Sequence, residues 1–452
     1  MAYEAKILGT IEREKIKIIR FVWIGNDGVI RAKASTAKHL KSNIKRGIGI
    51  AKGIQSFNAL DHLVLDGSFG APAKEFQIYP DLQTFAVLPY AKNSARFICE
   101  LLNPDFEPSA TDARAFLRRV ISQAKEMGFL PMAAGELEYY LTTRDESGNM
   151  IPQNFEKYGT VTQYDLANDV IQDWLDTFEK MGLDIERVIS EYGGAQYEIT
   201  IRYSDALTAA DNVLTFKDAA KGVALNHGYS TTFLPMPFPG GAGSGMHFHI
   251  SLWDLNGKNN LFYSESDENF LSETAKYFVG GIMAHLKGLC AICAPNPNSY
   301  KRLLPHSWAP AHCIWGVDNR AAAIRIPTRA EGDGAEPTRI EFRVPDGTAN
   351  PYFSLGATLA CGLEGIKKMI EPPEPVHIEP GDLMDDDLEQ KGIEYLPRTL
   401  GEALAEFKKD SFFKEIMGDF GFNEYYKVRM SEWREYCSVV TDWELKNYRE
   451  TF

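Results

Sequence analysis

The chain has 452 residues, of which 44% are hydrophobic and 24% are charged, as is ordinary for a water-soluble globular protein. Its formal net charge of −14 argues against nucleic acid or an anionic membrane as the main partner. No run of about 18 apolar residues occurs, so no transmembrane helix is predicted. The N-terminal sequence lacks the pattern of a secretory signal, and six irregularly spaced cysteines favour reduced thiols, so we expect a cytoplasmic protein.

Residues 1–105 predict a small domain that is rich in β-structure. Residues 16–30 have the pattern of an apolar strand, an Asn-Asp-Gly turn and a return strand, and residues 84–90 predict another strand. The glycine-rich stretch between them is predicted to be loop. A proline-containing loop, a capping signal and a helical period follow, so we predict a domain boundary there and a second domain over residues 106–452.

The second domain alternates helical periods with short apolar strands, which predicts a mixed α and β architecture. The helical patterns cover residues 165–182, 216–228, 271–293 and 353–370. The strand patterns cover residues 137–142, 196–203, 230–235, 246–253, 322–327 and 339–344. The acidic run at residues 385–387 is predicted to be a solvated loop.

Several of these strands carry polar side chains two residues apart in otherwise apolar sequence. Positions i and i+2 of a strand face the same side, so like charges in such a pair repel each other. The pairs are Glu136 with Glu138, His247 with His249 and Glu341 with Arg343, and a similar pair is Glu191 with Glu198, where Glu198 stands at the head of a strand-like run. Carboxylate oxygens favour Mg²⁺ or Mn²⁺, and Mn²⁺ also accepts a histidine nitrogen, so the pattern predicts a divalent-cation site. One such pair alone would favour an exposed strand edge, but four similar pairs weaken that interpretation.

Arginines lie on or beside the same apolar strands, which is unusual unless they are paired. They are Arg302, Arg320, Arg325, Arg339 and Arg343. Guanidinium groups suit phosphate and carboxylate, so beside acidic metal ligands they predict a site for a nucleotide and a carboxylate substrate. Internal salt bridges to the acidic residues are the alternative for one or two of them. The sequence has no GxxxxGK[ST] motif, so a P-loop is not predicted.

The order of these motifs resembles the glutamine synthetase family along nearly the whole chain. The matching segments are GELEYYL, EYGGAQYEI, STTFLPMPF, GSGMHFHISL, NSYKRLLP, DNRAAAIRIP and RIEFRVPDGTANPY. The resemblance implies an α+β fold, with an N-terminal β-grasp domain and a catalytic domain whose curved antiparallel sheet is flanked by helices. It also implies assembly into rings, as a hexamer or a dodecamer, with active sites between neighbouring subunits.

The resemblance implies a role for each of the polar residues. The ligands of a first metal ion would be Glu138, Glu191 and Glu198, and those of a second would be Glu136, His247 and Glu341. The groups that hold glutamate would be Arg302, Arg343 and the backbone of Gly243, with Glu138 and His247 beside the substrate. Contacts to the nucleotide would come from His249, Ser251, Arg325 and Arg339, and the transferred phosphoryl group would be stabilised by Arg320.

The implied reaction uses ATP and two or three Mg²⁺ or Mn²⁺ ions. ATP phosphorylates the γ-carboxylate of glutamate, and an amine then displaces phosphate from this acyl phosphate to form a γ-amide. Arginines and metal ions would stabilise the charge on the phosphoryl group, so Arg320 and Glu341 are predicted to be catalytic.

The sequence departs from the family where the amine is bound. Ammonia-using members carry a glutamate in a flap that reads roughly KRLVPGYEAP, whereas residues 301–310 are KRLLPHSWAP, with Trp308 at the glutamate position. An indole offers no negative charge to ammonium but can contact an apolar or cationic amine. We therefore predict that Trp308 takes part in the amine step and shapes the acceptor pocket together with His306 and residues 54–70.

Two further positions differ from the ammonia-using pattern. The aspartate that deprotonates ammonium in those members corresponds by position to a point near Ser56 and Phe57, with Asp61 and Asp66 as alternatives. Ala242 stands where the NGSGMH motif of the family has asparagine.

These departures predict an ATP-dependent glutamate–amine ligase that uses an organic primary amine. Glutamine synthesis from ammonia is the alternative reaction. A non-catalytic ring-forming family member is disfavoured by the complete set of six metal ligands, and an unrelated two-metal hydrolase is disfavoured by the order of the motifs. Residues 381–385 lack the tyrosine of adenylylated members, so no adenylylation is predicted there.

Overall fold

The computed structural model describes residues 2–70, 72–329 and 332–452, which build two β-sheets and the helices around them. The strands are β1 (Ile18–Ile24), β2 (Ile30–Thr36), β3 (Ile48–Ala51), β4 (Glu75–Pro80), β5 (Ala86–Val87), β6 (Ser94–Leu102), β7 (Phe129–Arg144), β8 (Met150–Pro152), β9 (Ile185–Ser190), β10 (Gln196–Ile201), β11 (Ser204–Asp205), β12 (Ser230–Thr232), β13 (Met246–Asp254), β14 (Trp315–Val317), β15 (Ile324–Ile326) and β16 (Ile340–Phe342). The α-helices are α1 (Ala2–Arg13), α2 (Leu40–Arg46), α3 (Ala113–Glu126), α4 (Val161–Leu166), α5 (Asn168–Lys180), α6 (Ala206–Asn226), α7 (Glu273–Cys293), α8 (Pro351–Lys368), α9 (Asp385–Gln390), α10 (Leu400–Lys409), α11 (Ser411–Ser438) and α12 (Asp442–Tyr448).

The first sheet has the strand order β2-β1-β6-β4-β3, and β5 pairs with β6. Its two central strands, β1 and β6, run parallel, while the other described pairs are antiparallel. Alternate residues of β1 and β6 pack into two different hydrophobic cores. Phe21 and Phe97 pack into a small core with α1, whereas Val22 and Ile98 pack into the large core of the chain. This sheet therefore lies between two hydrophobic layers, which is why its central strands are apolar on both faces.

The sequence analysis found only part of this sheet. The hairpin of β1 and β2 was predicted, but α1, β4 and β6 were not, and β5 is shorter than the strand predicted over residues 84–90. The glycine-rich stretch was predicted to be loop, but it also contains strand β3. Strand β6 carries an arginine, a cysteine and a glutamate among its apolar residues, and this composition hides its buried central position.

The second sheet has the strand order β14-β15-β16-β13-β7-β10-β9, with β8, β11 and β12 also paired to β7. Among the described strands of this sheet, β14 and β15 form a parallel pair and the other pairs are antiparallel. The long strand β7 is the hub, since five other strands pair with it along its 16 residues. The predicted α+β fold with a curved, largely antiparallel sheet in the second part of the chain is confirmed. The division into domains at residue 105 stays a prediction, although the first sheet ends at Leu102 and the second begins at Phe129.

Helices α7 and α8 are largely buried and pack against each other. Their backbones approach closely at Gly281 and Gly365, where an added Cβ would overlap backbone atoms of the facing helix. Both helices were predicted from their periodicity, and so was α3, whose first turn is capped by the Asp112 carboxylate. Within the described ranges, the structure contains no helix with the length and apolar character that crossing a membrane requires.

The acidic run at residues 385–387 is a correction to the sequence analysis. These residues form the first turn of α9, so the predicted loop is wrong, whereas their three side chains are exposed to solvent as predicted. The physical reason is the helix dipole, because three carboxylates at a helix N-terminus are stabilised by its unpaired N–H groups. Helix α6 is also longer than predicted, since it begins at Ala206 behind the N-cap Asp205.

An imidazole holds three helices of the large core together. His285 on α7 contacts the carboxylate of Glu364 on α8 at 2.5 Å and that of Asp410, the N-cap of α11, at 2.6 Å. Burial lowers the pKa of His285, but the two carboxylates outweigh burial and raise it above its ordinary value. Burial raises the pKa of Asp410, but His285 outweighs it and the result is a lowered pKa.

These shifts predict a pH window for the contribution of His285 to stability. The raised pKa of His285 stabilises the fold below about pH 6.5, and this term is lost as pH rises through the folded pKa. The lowered pKa of Asp410 stabilises the fold above about pH 4, and this term is lost as pH falls through the folded pKa. We expect His285→Gln to lower the free energy of unfolding by about 1–3 kcal/mol between these limits and by less at pH 9.

Urea titrations at pH 5.5 and pH 9 measure this difference. His227→Gln is the matched control, because His227 is paired with one carboxylate, Asp173, at the protein surface. An equal loss of stability for His285→Gln at both pH values would contradict the prediction.

Candidate active site

Strand β7 carries both glutamates of the GELEYYL segment on one face. Gly135, Leu137 and Tyr139 alternate with them and are buried on the other face. The register of the sheet places polar side chains of neighbouring strands beside the glutamates. The cross-strand neighbours are Glu198 with Glu138, His247 with Glu136, His249 with Glu341, and Arg325 with Glu341. We use the term carboxylate row for the glutamates at this face, namely Glu136, Glu138, Glu191, Glu198 and Glu341.

His247 and His249 lie close to several members of the carboxylate row. The Nδ1 atom of His247 is 3.3 Å from Glu136 Oε1 and 3.4 Å from Glu341 Oε1, and its Nε2 atom is 3.7 Å from Glu138 Oε1. The Nε2 atom of His249 is 3.2 Å from Glu136 Oε2. Ligand atoms of Glu136, His249 and Glu341 all lie within 4.8 Å of one another, which is a spacing that suits a single metal ion.

The negative charge near β10 is poorly compensated by the described side chains. Burial and the neighbouring carboxylates of Glu136, Glu138 and Glu191 raise the pKa of Glu198 well above its ordinary value. Burial and Glu138 raise the pKa of Glu191 to about 7. Carboxylates in such surroundings ionise readily only when a cation joins them. The donor set therefore fits a hard divalent cation.

The negative charge near β16 is compensated by the protein itself. Burial opposes ionisation of Glu341, but Arg343 and the two histidines outweigh it and lower the pKa to about 2. Burial also opposes ionisation of Glu136, yet His249 and His247 hold its pKa well below the ordinary value. These two carboxylates are ready to bind a cation without first losing a proton.

The contacts of His249 distinguish it from His247. The Nε–H group of Arg339 donates to His249 Nδ1 at 2.9 Å, so this nitrogen carries a lone pair and the imidazole proton sits on Nε2. Nε2–H then donates to Glu136. Both nitrogens of His249 are therefore engaged, and those of His247 lie 3.4 Å from Arg302 Nη2 and 3.5 Å from Arg343 Nη1.

Four of the five predicted arginines have definite partners. Two of the four form internal salt bridges, which the sequence analysis gave as the alternative to binding a substrate. Arg325 binds Glu341 and Asp318, and Arg343 binds Glu341. Arg302 is 3% exposed and donates to backbone carbonyl oxygens of residues 343–345. Burial lowers the pKa of Arg302.

Two glycines leave room for Arg302 beside His247. A Cβ at Gly245 would lie 2.5 Å from His247 Nε2 and 2.6 Å from Arg302 Nη2, so a side chain there would displace both groups. A Cβ at Gly243 would lie 2.8 Å from Arg302 Cγ. The backbone N–H of Gly245 also donates to Glu138 at 2.7 Å. The GSGMH motif therefore brings the backbone close to the carboxylate row.

The polar face of β13 continues past the carboxylate row to Ser251 and Trp253. Trp253 donates to Ser251 at 3.0 Å and stacks on Tyr203 with ring centroids 6.1 Å apart. Both aromatic rings line a cavity of about 640 Å³ that Asn259 and Tyr263 also line. The sequence analysis missed Trp253 and Tyr203. The alternation of β13 was the available signal, because Trp253 follows Ser251 at the same two-residue spacing.

The flap, residues 301–310, lies at the other end of the site. Trp308 is 74% exposed, and its backbone carbonyl accepts from Arg343 Nη2 at 3.0 Å. His306 and Trp308 both have positive φ values, near 59° and 58°, a conformation that side chains other than glycine adopt at a cost. The imidazole of His306 contacts the carbonyl oxygen of Gly381 at 3.1 Å.

A cavity of about 460 Å³ opens beside the flap, and we call it the flap cavity. Among its lining residues are Trp308, His306 and Arg320, which the sequence analysis had assigned to the site. Its other lining residues, which the sequence analysis did not single out, are Val317, Asp318, Asn319, Ala321, His377, Ile378 and Glu379. The positive charge of the exposed Arg320 guanidinium also reaches the carboxylate row. It acts to lower the pKa of Glu191, but burial and Glu138 have the larger effect and raise it.

Within residues 54–70 lie the candidate positions for the aspartate that deprotonates ammonium in ammonia-using members. In this structure the described candidates are exposed or contact other parts of the chain. Ser56 is buried and bonded to Glu424. The Asp61 side chain is 76% exposed and binds Arg31 at 3.0 Å. Asp66 is exposed. At the Ala242 position, the backbone carbonyl accepts from Tyr140 at 2.9 Å.

Known proteins are similar to this chain in sequence and in fold. The family described as "Glutamine synthetase, catalytic domain" matches residues 110–448. The glutamine synthetase of Thermotoga maritima is 36% identical over 443 residues, covering 97% of each chain. That of Methanosarcina mazei is 36% identical over 449 residues, covering 98% of this chain and 96% of the relative.

Solved structures agree with this grouping. A GmaS/ADP complex superposes with a TM-score of 0.86 at 28% identity, covering 98% of this chain and 99% of the other. A novel glutamine synthase homolog superposes with a TM-score of 0.84 at 26% identity, covering 97% of this chain and 99% of the other. With the sequence matches and the shared fold together, the chain belongs to the glutamine synthetase family of ligases.

Proposed function

We propose that this chain is an ATP-dependent ligase that joins glutamate to an organic primary amine through a γ-glutamyl phosphate. Family membership supports the use of ATP, glutamate and divalent metal ions. The observation that carries the choice of an organic amine is the flap cavity, with Trp308 where ammonia-using members have a glutamate. Its volume of about 460 Å³ exceeds what an ammonium ion needs.

The carboxylate row would hold the metal ions in two groups. Glu138, Glu191 and Glu198 would bind one Mg²⁺ or Mn²⁺ ion, and Glu136, His247 and Glu341 would bind another. When bound, such ions neutralise the phosphate oxygens of a nucleotide. The undercompensated charge around Glu198 supports the first group, and the low pKa of Glu341 supports the second.

The side chains around the carboxylate row would position the two substrates. His249 and Arg339 already contact each other beside Glu136, and Ser251 lies one step further along β13, so the nucleotide would extend from the carboxylate row toward Trp253. Arg325 would bind the nucleotide phosphates. Arg302, Arg343 and the backbone of Gly243 would hold the carboxylate of glutamate.

Arg320 is the guanidinium best suited to the transferred phosphoryl group. It is exposed and lies close enough to influence Glu191, whereas Arg325 and Arg343 are bound to Glu341. Arg320 has no carboxylate partner among the described residues, so it keeps its donors for the charge that develops during phosphoryl transfer. Arg320 and Trp308 line the same cavity, so an amine seated there would approach the acyl phosphate directly.

The flap cavity has chemistry that suits an amine with a carbon skeleton. Val317, Ala321 and Ile378 offer apolar contacts, and Asp318 and Glu379 offer carboxylates. Trp308 adds an indole face that can contact a cationic group. GmaS, which is a γ-glutamylmethylamide synthetase and a structural neighbour of this chain, provides a precedent in the family for an organic amine.

Glutamine synthesis from ammonia is the second candidate. It is favoured by the curated relatives, since the glutamine synthetases of Thermotoga maritima and Methanosarcina mazei are each 36% identical to the chain. A non-catalytic ring-forming protein is a third candidate of another class, which would not hydrolyse ATP in the presence of glutamate and Mg²⁺.

We also propose that the chain assembles into a hexameric or dodecameric ring with active sites between subunits. The support is an apolar surface near the C-terminus. Its exposed side chains are Val439, Val440, Trp443, Tyr448 and Phe452. Exposed apolar patches of this kind are typical of subunit interfaces.

Phosphate release with ATP, glutamate and Mg²⁺ tests the proposed function across ammonia, methylamine, ethanolamine, putrescine, spermidine and aniline. We expect kcat/KM for one organic amine to exceed that for ammonia by about tenfold or more, because the flap cavity binds the carbon skeleton. Stimulation by ammonia alone would overturn the proposal in favour of glutamine synthesis. A complete lack of turnover with every acceptor would favour the non-catalytic alternative.

Trp308→Glu is expected to shift the preference toward ammonia. A carboxylate in the flap attracts ammonium and removes the indole face, so the ratio of kcat/KM for ammonia to that for the best organic amine should rise about tenfold. Leu304→Glu is the matched control, because it places the same charge at another exposed flap position. Equal ratios in Trp308→Glu and wild type would show that Trp308 does not select the acceptor.

Glu198→Gln tests the charge balance of the carboxylate row. The variant removes one of several repelling carboxylates, so the metal-free protein should melt at the same temperature as wild type or higher. Its rise in Tm on adding saturating Mg²⁺ should be less than half that of wild type, because a cation ligand is lost. Differential scanning calorimetry with and without a chelator measures both effects.

Glu186→Gln on β9 is the control for this measurement, since it removes an exposed carboxylate from the same sheet. A full Mg²⁺ response in Glu198→Gln would remove Glu198 from the proposed metal site.

A further inference from the structure

The site face of the second sheet carries one more polar cross-strand pair beyond the glutamates. Glu138 on β7 pairs with Glu198 on β10. The next pair on the same face is Tyr140 with Gln196, because positions two apart on a strand face the same side. Both residues are buried, each with 1% of its surface exposed. Neither belongs to the proposed metal or substrate contacts, so their buried polar atoms need another explanation.

The side chains of this pair hold a backbone segment of the site. The Tyr140 hydroxyl donates to the carbonyl oxygen of Ala242 at 2.9 Å. The Nε2 atom of Gln196 donates to the carbonyl oxygen of Gly243 at 2.9 Å and to Ser244 Oγ at 3.1 Å. The carbonyl before Gly243 and the carbonyl of Gly243 itself are therefore both fixed by side chains of the sheet.

These contacts orient the N–H group of Gly243. The peptide bond between Ala242 and Gly243 is planar and trans, so its N–H points opposite to its C=O. Because Tyr140 holds the C=O of Ala242, the N–H of Gly243 is directed away from Tyr140. Gln196 restricts the other side of Gly243, whose backbone dihedrals are otherwise freer than those of any residue with a side chain.

Gln196 uses both ends of its amide. Its Oε1 atom accepts from the N–H of Gly193 at 2.9 Å, and this glycine lies in the turn that follows Glu191. Backbone bonds also close this turn, since the N–H of Gln196 donates to the Gly193 carbonyl and the N–H of Glu191 donates to the Gln196 carbonyl, both at 2.9 Å. The side chain of Gln196 is therefore needed less for the turn than for its contacts to residues 243–244.

We propose that Tyr140 and Gln196 are positioning residues for glutamate, which act through the backbone of Gly243. The inference rests on the proposed function, in which this backbone holds the substrate carboxylate together with Arg302 and Arg343. A carboxylate accepts hydrogen bonds, so the group of Gly243 that can hold it is the N–H. Tyr140 and Gln196 fix the direction of this donor in advance, so glutamate binding does not have to order a flexible glycine segment.

Isothermal titration calorimetry of glutamate into the full-length protein tests the proposal. Saturating ADP and Mg²⁺ are present and no amine is added, so no turnover occurs. Tyr140→Phe removes only the hydroxyl and should weaken glutamate binding about threefold to tenfold. Gln196→Met removes both donors at similar volume and should weaken it at least about tenfold. The Kd of ADP with Mg²⁺ should change less than about twofold in either variant, because the proposed nucleotide contacts come from other residues.

Each variant has a matched control that removes the same chemical group nearby. Tyr139→Phe removes the hydroxyl of the neighbouring tyrosine, which is buried on the other face of β7 and has no hydrogen-bond partner among the described residues. Gln163→Met removes a buried amide that donates at 2.9 Å to the carbonyl oxygen of Gln196 instead of to residues 243–244. Both controls should bind glutamate as wild type does. The Tm of all four variants shows whether a lost affinity follows from lost stability.

Weaker glutamate binding in Tyr140→Phe and Gln196→Met, with unchanged ADP binding and unchanged controls, supports the proposal. Unchanged glutamate affinity in Tyr140→Phe overturns it, and this variant decides the question if Gln196→Met does not fold. Equal losses in a variant and its control, or equal losses of glutamate and ADP binding, also overturn it, because they indicate a general structural role. If wild type binds no glutamate, the proposed function fails together with this inference, which distinguishes that failure from the others.

Discussion

Repulsion among five glutamates is the constraint around which the catalytic sheet is built. Backbone pairing places four of their side chains on one face of the sheet, and Glu191 directly follows β9 in the same sheet. The protein compensates one half of this charge and not the other. Near β16, arginines and histidines lower the pKa of Glu341 and Glu136, whereas near β10 the pKa of Glu191 and Glu198 is raised.

The side chain of Arg343 connects the compensated half of the carboxylate row to the flap. Arg343 binds the carboxylate of Glu341 and also the backbone carbonyl of Trp308 in the flap. One guanidinium thus connects a member of the carboxylate row to the segment that borders the flap cavity.

The sequence predicted the strands of the catalytic sheet better than those of the first sheet. The catalytic strands alternate polar and apolar residues, and this period-two signal is strong because one face is buried and the other is the site. Strand β6 lacks such alternation because both of its faces are covered, and it carries Arg96 within its buried run. Helix α9 was missed because a local run of exposed aspartates was interpreted as a loop, although a helix N-terminus stabilises such a run.

The sequence by itself determined the family, the catalytic sheet and the identity of the polar residues that the site brings together. Motif order and two-residue spacing are local properties of a chain, so they can be recognised without coordinates. Only the tertiary structure decided which groups the two histidines contact, which arginines are already paired, and where the cavities lie. The buried Arg96 is an example: its Nε and Nη1 atoms have no hydrogen-bond partner among the described residues, and a missing partner depends on everything packed around a side chain.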